Sequence, residues 1–172
     1  MGVAPRGVLG RGGRRRSRVR IWLLRHAIAE ERSLEHPEMD EFRRLTVEGR
    51  KKLRRLLRVM VARLPRPERI LYSPYVRAAQ TAEIAAKAWG LACEPLGLLV
   101  PGEDAFDWLA EQGSAGPLVL VGHEPDLSWL AARLLGLEAP CFRLKKAGLC
   151  GLLGAPGQAS LEFLLTPRSL LG

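Results

Sequence analysis

Long hydrophobic runs are missing from this 172-residue chain. No apolar stretch approaches the roughly 18 residues that a membrane-spanning helix needs, which excludes a helical membrane protein as a reading of the sequence. Cysteine is scarce too: Cys93, Cys141 and Cys150 are the three present. Their number is odd, and no two are spaced like a metal knuckle. This argues against a disulfide framework and against a zinc module. The expectation is reduced, mostly buried thiols in a cytoplasmic protein. Histidine is equally sparse, with three in the whole chain, and the scattered acids show no ligand spacing around them, so no metal and no cofactor is expected. Acid is absent from residues 1–20, where seven arginines (Arg6, Arg11, Arg14, Arg15, Arg16, Arg18 and Arg20) stand alone. Of the formal net charge of +9, only +2 is left for the remaining residues. The basicity therefore belongs mostly to one end, and the body is nearly neutral.

That distribution divides the chain. Residues 1–18, rich in Gly and Arg and without apolar periodicity, read as a disordered basic N-terminal arm. A secretory signal would place about seven to fifteen apolar residues behind its charges, whereas "VRIWLL" is shorter and contains Arg20. The arm reads as a solvated tail, with weak binding of nucleic acid or an acidic surface as its functional alternative. Residues 19–172 read as one domain, a length that can bury a core.

Within that domain the pattern alternates. "VRIWLL" (19–24) reads as a buried strand. Residues 46–64 read as a helix with Thr46 as N-cap, Glu48 in the first turn and an apolar stripe of Leu53, Leu56, Leu57 and Met60, ended by Pro65 and Pro67. "RILYS" (69–73) is a second strand. Residues 75–90 are an Ala-rich helix stopped by Gly90. Residues 91–96 suggest a third strand, 103–113 a short helix, 116–122 a strongly apolar strand and 125–136 a helix. Two late strands around "APGQ" suggest a hairpin. Strands alternating with helices predict an α/β three-layer sandwich, with a mostly parallel central sheet and helices on both faces. The four tryptophans read as mostly core, with lining of the site's mouth as the alternative for Trp108, and His36 reads as a loop residue.

In such sheets ligands bind beyond the carboxyl ends of the strands, and there the sequence becomes specific. The first strand runs into Arg25-His26, the second is followed by "SPYVR" with Arg77 in the next helix's first turn, and the strand "LVLVG" ends at His123. Guanidinium forks match phosphate oxygens bidentately. A helix N-terminus adds oriented N–H groups. A neutral imidazole in such a pocket is a competent nucleophile toward phosphorus.

The segments "LLRHA", "SPYVRAAQTAEI" and "VGHEP", in that order, resemble the histidine phosphatase superfamily, and "DEFRRLTVEG" is similar to the segment that follows the first motif in the short SixA-type phosphohistidine phosphatases. The resemblance spans roughly residues 19–165 and implies a phosphoglycerate mutase-like fold. It also implies residue roles. His26 matches the histidine that becomes phosphorylated. Arg25 and Arg77 match the arginines that hold the phosphate, and His123 matches the second histidine, which contacts the phosphoryl oxygens. Arg43 matches an arginine recurrent in the short branch, with phosphate binding or a surface salt bridge as its two readings. Ser73 and Gln80-Thr81 match the helix-start motif, where capping and packing explain them equally well. Ala27 stands where the superfamily more commonly has glycine.

A general acid is not marked by any strong motif. Glu103, Asp104 and Glu124 are the available carboxylates, and Glu103 is the candidate acid. A phosphohistidine substrate needs little acid catalysis, because its P–N bond is labile and transfer between imidazoles is nearly balanced. Only 45 residues separate Arg77 from His123, which leaves little chain for a cap and predicts an open site. The expectation is a metal-independent phosphatase acting through phospho-His26 on a phosphohistidine-bearing phosphotransfer protein in the cytoplasm. The alternatives are a small-molecule phosphomonoesterase acting on a sugar phosphate or nucleotide and, from another class, a polyanion-binding module with vestigial chemistry.

Overall fold

The computed structural model describes residues 19–112 and 116–172. The basic arm therefore lies outside the described residues, as does the end of the helix expected over 103–113. Six strands form one sheet: β1 (Val19–Arg25), β2 (Arg69–Tyr72), β3 (Glu94–Pro95), β4 (Pro117–Gly122), β5 (Leu149–Gly154) and β6 (Ser160–Leu165). Their order is β3-β2-β4-β1-β5-β6. Pairing is parallel from β3 through β1 and antiparallel at β5 and β6. The sheet is thus mixed, and the late hairpin supplies its antiparallel side. The helices are α1 (Val47–Arg63), α2 (Val76–Trp89), α3 (Phe106–Glu111), α4 (Asp126–Leu135) and α5 (Pro167–Leu171).

Period-two alternation along β1 makes the layers. Trp22 and Leu24 face one side, where they meet Leu53, Leu56, Leu57 and Met60 of α1 and the alanine face of α2. Ile21 and Leu23 face the other, where they join Leu109 of α3 and Leu127, Leu130 and Leu134 of α4. Burying each of these leucines contributes about 1.5–3 kcal/mol, so both faces of the sheet are held. β4, flanked by β1 and β2, is buried along its whole length.

Two local choices bring α1 against the strand ends. The Thr46 hydroxyl accepts from the Gly49 amide at 2.9 Å, closing the first turn. The Thr46 amide donates to the Ile28 carbonyl at 3.0 Å. A Cβ on Gly49 would collide with that same carbonyl, so the close approach of helix and loop requires glycine there. α2 ends on Gly90 at φ +66°, in the left-handed region.

Three sequence expectations change here. The third strand shrinks to two residues at the sheet edge. The helix expected from residue 103 starts at Phe106, because the Asp104 carboxylate accepts from the Phe106 amide and holds the preceding residues in a turn. The thiols are not mostly buried: Cys150 is, Cys93 is half-buried, and Cys141 is exposed between α4 and β5.

Candidate active site

Register levels the carboxyl ends of the three central strands. Arg25 of β1 sits opposite Gly122 of β4, and Tyr72 of β2 sits opposite Val121. The ladder continues one step beyond each strand, with the His26 amide donating to the Gly122 carbonyl at 3.0 Å and the Ser73 amide to the Val121 carbonyl at 3.0 Å. His26 and Ser73 are thereby fixed by backbone bonds rather than left on free loops, and the His123 carbonyl accepts from the Leu127 amide at 2.9 Å. The structure brings Arg25, His26, Arg77 and His123 together at this edge, and it adds Arg43.

His26 is 6% exposed. Its Nδ1 lies 2.8 Å from the Ala27 carbonyl oxygen, which can only accept, so Nδ1 carries the proton and donates it. Nε2 is left with the lone pair. Burial, offset in part by that hydrogen bond, together with the charges of Arg77, Arg25 and Arg43, pushes the imidazole down to about 4. It is therefore neutral near pH 7. The following residue is also tied: the Ala27 amide donates to the Thr81 hydroxyl at 3.1 Å, and that hydroxyl donates to the Arg77 carbonyl at 2.7 Å. Thr81 thus links the first turn of α2 to the chain beside His26. Gln80 accepts from the Leu45 amide and from Arg50. Both members of the Gln80-Thr81 pair serve as ties between segments.

Arg77 is 4% exposed. One guanidinium nitrogen donates to the Asp40 carbonyl at 2.6 Å and the other to the Asp40 carboxylate at 2.9 Å. Its Cζ lies 5.1 Å from the centroid of the Tyr75 ring. The second oxygen of Asp40 accepts from Arg43 Nε at 2.9 Å, and Arg43 also donates to the Glu30 carbonyl at 2.7 Å. Desolvation alone would raise the Asp40 pKa, but the two arginines outweigh it and hold the carboxyl below its usual range. Asp40 belongs to a short 3-10 turn, Pro37–Phe42, which presents it as a brace between the two guanidinium groups.

Arg25 is half-buried, donates to the Leu144 carbonyl at 2.8 Å and feels the charge of Glu124. His123 is 3% exposed, and its ring centroid lies 5.2 Å from that of His26. Its Nε2 pairs with the Ser73 hydroxyl at 2.8 Å. Burial first, then Arg77 and the neighbouring imidazole, push it down to about 3, so it too is neutral. Five buried polar side-chain atoms lack a hydrogen-bond partner among the described residues: two indole nitrogens, of Trp22 and Trp89, and Nε of Arg25, Nε of Arg77 and Nδ1 of His123. Buried orphan groups are costly. The last three belong to one cluster of cations and neutral imidazoles around His26, an arrangement able to receive an oxyanion.

The acids fall into separate roles. The two carboxylate oxygens of Glu124 share the Ser128 hydroxyl proton, and one of them accepts from the Leu144 amide, so Glu124 is committed to the loop. Asp104 pairs with Arg133. Glu103 is exposed and lines a crevice of about 190 Å³ that His123 also lines. No hydrogen bond or ion pair joins its carboxylate to the cluster among the described residues. Among those residues, no group of three or more His, Cys, Asp or Glu side chains could hold a metal ion, and no helix is long and apolar enough to cross a membrane. His36 lies in an exposed loop against Glu38.

Two residues escaped sequence reasoning. Asp40 opens the matched segment "DEFRRLTVEG", yet within that segment the resemblance implied a role only for Arg43. Trp129, expected in the core, is 49% exposed and lines the His123 crevice, while Trp108 is half-buried against the core.

Comparison with known proteins bears on this arrangement. Residues 21–99 match the model of the histidine phosphatase superfamily, branch 1. An uncharacterized protein of a Picosynechococcus species is 34% identical over 173 residues, covering 88% of this chain and 98% of that protein. The structure of the protein histidine phosphatase SixA complexed with tungstate superposes with a TM-score of 0.77 at 23% identity, covering 88% of this chain and 99% of SixA. A SixA protein from Agrobacterium tumefaciens gives 0.71 at 25% identity, over 87% of this chain and 98% of its own. A mycobacterial glucosyl-3-phosphoglycerate phosphatase gives 0.67 at 20%, over 87% and 99%. With its α/β fold shared with these structures, and its strand-end cluster carried on the matched segments, the chain belongs to the histidine phosphatase superfamily and is of the SixA type.

Proposed function

We propose that this phosphatase removes the phosphoryl group from a phosphohistidine carried by a phosphotransfer protein, with His26 as the transient acceptor. One observation carries the reading: a neutral His26 is surrounded by three buried donors without partners, Nε of Arg25, Nε of Arg77 and Nδ1 of His123. A phosphoryl group would supply an acceptor for each.

The chemistry follows from the tautomers. With Nδ1–H held on the Ala27 carbonyl, the Nε2 lone pair attacks phosphorus in line and the substrate's P–N bond breaks. The departing imidazole takes its proton from solvent. The equatorial oxygens carry the charge of a loose transition state, and Arg25, Arg77 and His123 stabilise it without reorganising. With the Ser73 hydroxyl donating to Nε2 of His123, Nδ1 keeps its hydrogen and acts as a donor. Phospho-His26 is a cationic imidazolium, and the Ala27 carbonyl offsets that charge. Water then attacks phosphorus, phosphate leaves and neutral His26 returns. Arg43 acts from beside Asp40 as part of the positive field. No step requires a metal.

The choice of substrate rests on two supports. Among the described residues the one carboxylate bonded into the cluster is Asp40, held ionised between Arg77 and Arg43, so no carboxyl group stands ready to protonate a poor leaving group, which suits a labile P–N bond. The likeness to SixA, a protein histidine phosphatase, points the same way. A phosphomonoesterase of small molecules is the second reading, favoured by Glu103 in the crevice beside His123 and by the likeness to the glucosyl-3-phosphoglycerate phosphatase. Phosphate release, without added metal, from a phosphohistidine domain and from a panel of sugar phosphates and nucleotides separates the two. Release from the phosphohistidine domain that falls at least about 10⁴-fold in His26→Ala supports the first reading. Faster turnover of one ester, with dependence on Glu103, replaces it with the second.

A further inference from the structure

A cleft of about 880 Å³ opens next to the cluster and shares Arg25 with it. Its walls carry Lys52 and Arg55 from α1, Lys145 and Lys146 from the loop before β5, and Arg168 from α5. Glu48 is the single acidic side chain among the lining residues. Arg55, Lys145, Lys146 and Arg168 are exposed. None of these five cations makes a side-chain hydrogen bond or an ion pair among the described residues. Unpaired cations also line the groove between α1 and α2, Arg54, Arg58 and Lys87 among them; this cleft differs in gathering five of them beside Arg25 of the cluster. Glu48 offsets one of these charges; the excess positive charge, spread over three separate elements, would be relieved by a counter-charge from outside.

The cleft is fastened to the nucleophile's backbone. Leu144 accepts from Arg25, Lys145 and Lys146 follow it, and the Ala147 amide donates to the carbonyls of Arg25 at 3.1 Å and His26 at 3.2 Å. Anything seated on the lysines is therefore registered against His26. The lining contains Ile28, Pro167 and Leu171 but no aromatic side chain. Single-stranded nucleic acid gains much of its affinity from stacking on aromatic rings, and this wall offers none. Its mixture of free cations and aliphatic surface fits a folded partner's acidic face.

We propose that this cleft is the docking surface for the acidic face of the phosphohistidine-bearing protein, steering it and setting its phosphohistidine over His26. The proposal rests on the function proposed above and adds the surface that selects the partner. The test uses the full chain, an acidic phosphotransfer domain phosphorylated on histidine, and free phosphoramidate. The variant is K145E/K146E/R168E, and its melting curve checks the fold. The ratio of kcat/KM for the domain to kcat/KM for phosphoramidate is expected to fall at least about tenfold, mostly through KM, with the neutral K145Q/K146Q/R168Q between. Domain binding should weaken from about 20 to about 200 mM salt in the wild type, and much less in the reversed variant. An unchanged ratio with salt-insensitive binding, while the wild type still dephosphorylates the domain, overturns the docking surface and leaves the function standing. Salt-sensitive binding through the cleft without phosphate release overturns the function and leaves the surface. Preferential binding of a single-stranded oligonucleotide at the cleft, with the domain ignored, overturns the docking proposal.

Discussion

Two groups of cations lie within one neighbourhood and are held differently. Arg25, Arg43 and Arg77 each donate to a backbone carbonyl, and Arg43 and Arg77 share the Asp40 carboxylate. Lys52, Arg55, Lys145, Lys146 and Arg168 line the adjoining cleft with no such anchor among the described residues. Charge is the same in both groups; freedom is not. A guanidinium fixed before the substrate arrives gives up no rotamer freedom when charge develops, which is what transition-state stabilisation needs. A free lysine keeps roughly 2 kcal/mol of rotamer entropy, which allows it to adjust to a protein surface of variable shape. The contrast separates a rigid chemical centre from an adaptable rim.

The sharpest break should come at the anchored side. Arg77→Ala is expected to lower kcat about 10²- to 10³-fold, read in steady-state phosphate release. Arg77→Lys should recover little, since an ammonium cannot span both the Asp40 carbonyl and its carboxylate. Recovery by lysine would mean that charge alone matters and that the anchoring is incidental.

Acid should distinguish the two regions next. His26 and His123 are pushed down to about 4 and about 3 from an ordinary 6.5. As pH falls below about 6.5 the unfolded chain takes up protons that the folded chain refuses, so stability present above that pH is lost on the way down to about 4 for His26 and about 3 for His123. The loss for His26 between pH 7 and 5 is on the order of 1–2 kcal/mol, seen as a lower urea midpoint. His26→Gln should remove its share. The cleft has no imidazole among its lining residues and contributes none of this change. A flat stability profile across that range would contradict the neutral, buried imidazoles.

Asp40→Asn keeps the shape of the brace and removes its charge. Loss of charge-assisted hydrogen bonds to two guanidinium groups costs the folded state about 1.5–3 kcal/mol, so the melting temperature should drop by several degrees, and with Arg77 no longer anchored kcat should fall about tenfold. A drop in melting temperature without a change in kcat would reduce Asp40 to a structural salt bridge. The smallest effect belongs to the rim: Lys145→Ala alone should change kcat/KM for a phosphohistidine domain by only about twofold, because one exposed charge among five is screened and shared. A large effect there would merge the rim with the chemical centre.

The legible part of the fold is the part written in periodicity. The stripe of Leu53, Leu56, Leu57 and Met60, the Thr46 cap and the Gly90 stop each report a local rule, and each stands where that rule places it. The spatial meeting of Arg25, His26, Arg77 and His123 was legible because parallel strands bring their carboxyl ends to one edge. Asp40 was not, since its hydrogen-bond partners are 3 and 37 residues away and only tertiary packing pairs it with Arg77. Trp129 was misplaced because an aromatic in an apolar helix usually turns inward, and here the crevice beside His123 takes it instead. Cys141 was misjudged on residue type alone, which says nothing of a loop between α4 and β5.

The hydrogen bond between Nδ1 of His26 and the Ala27 carbonyl has a consequence in regiochemistry. Phosphohistidine exists as two isomers, with phosphorus on either ring nitrogen. Here one nitrogen is occupied by the neighbouring residue's own carbonyl, and the ring cannot turn over without breaking that bond inside a site that is 6% exposed. On the proposed chemistry the covalent enzyme is therefore a single isomer, phosphorylated at Nε2. Acceptance of a phosphoryl group is selective for the atom as well as for the residue, and this selectivity comes from the backbone of Ala27 rather than from any side chain.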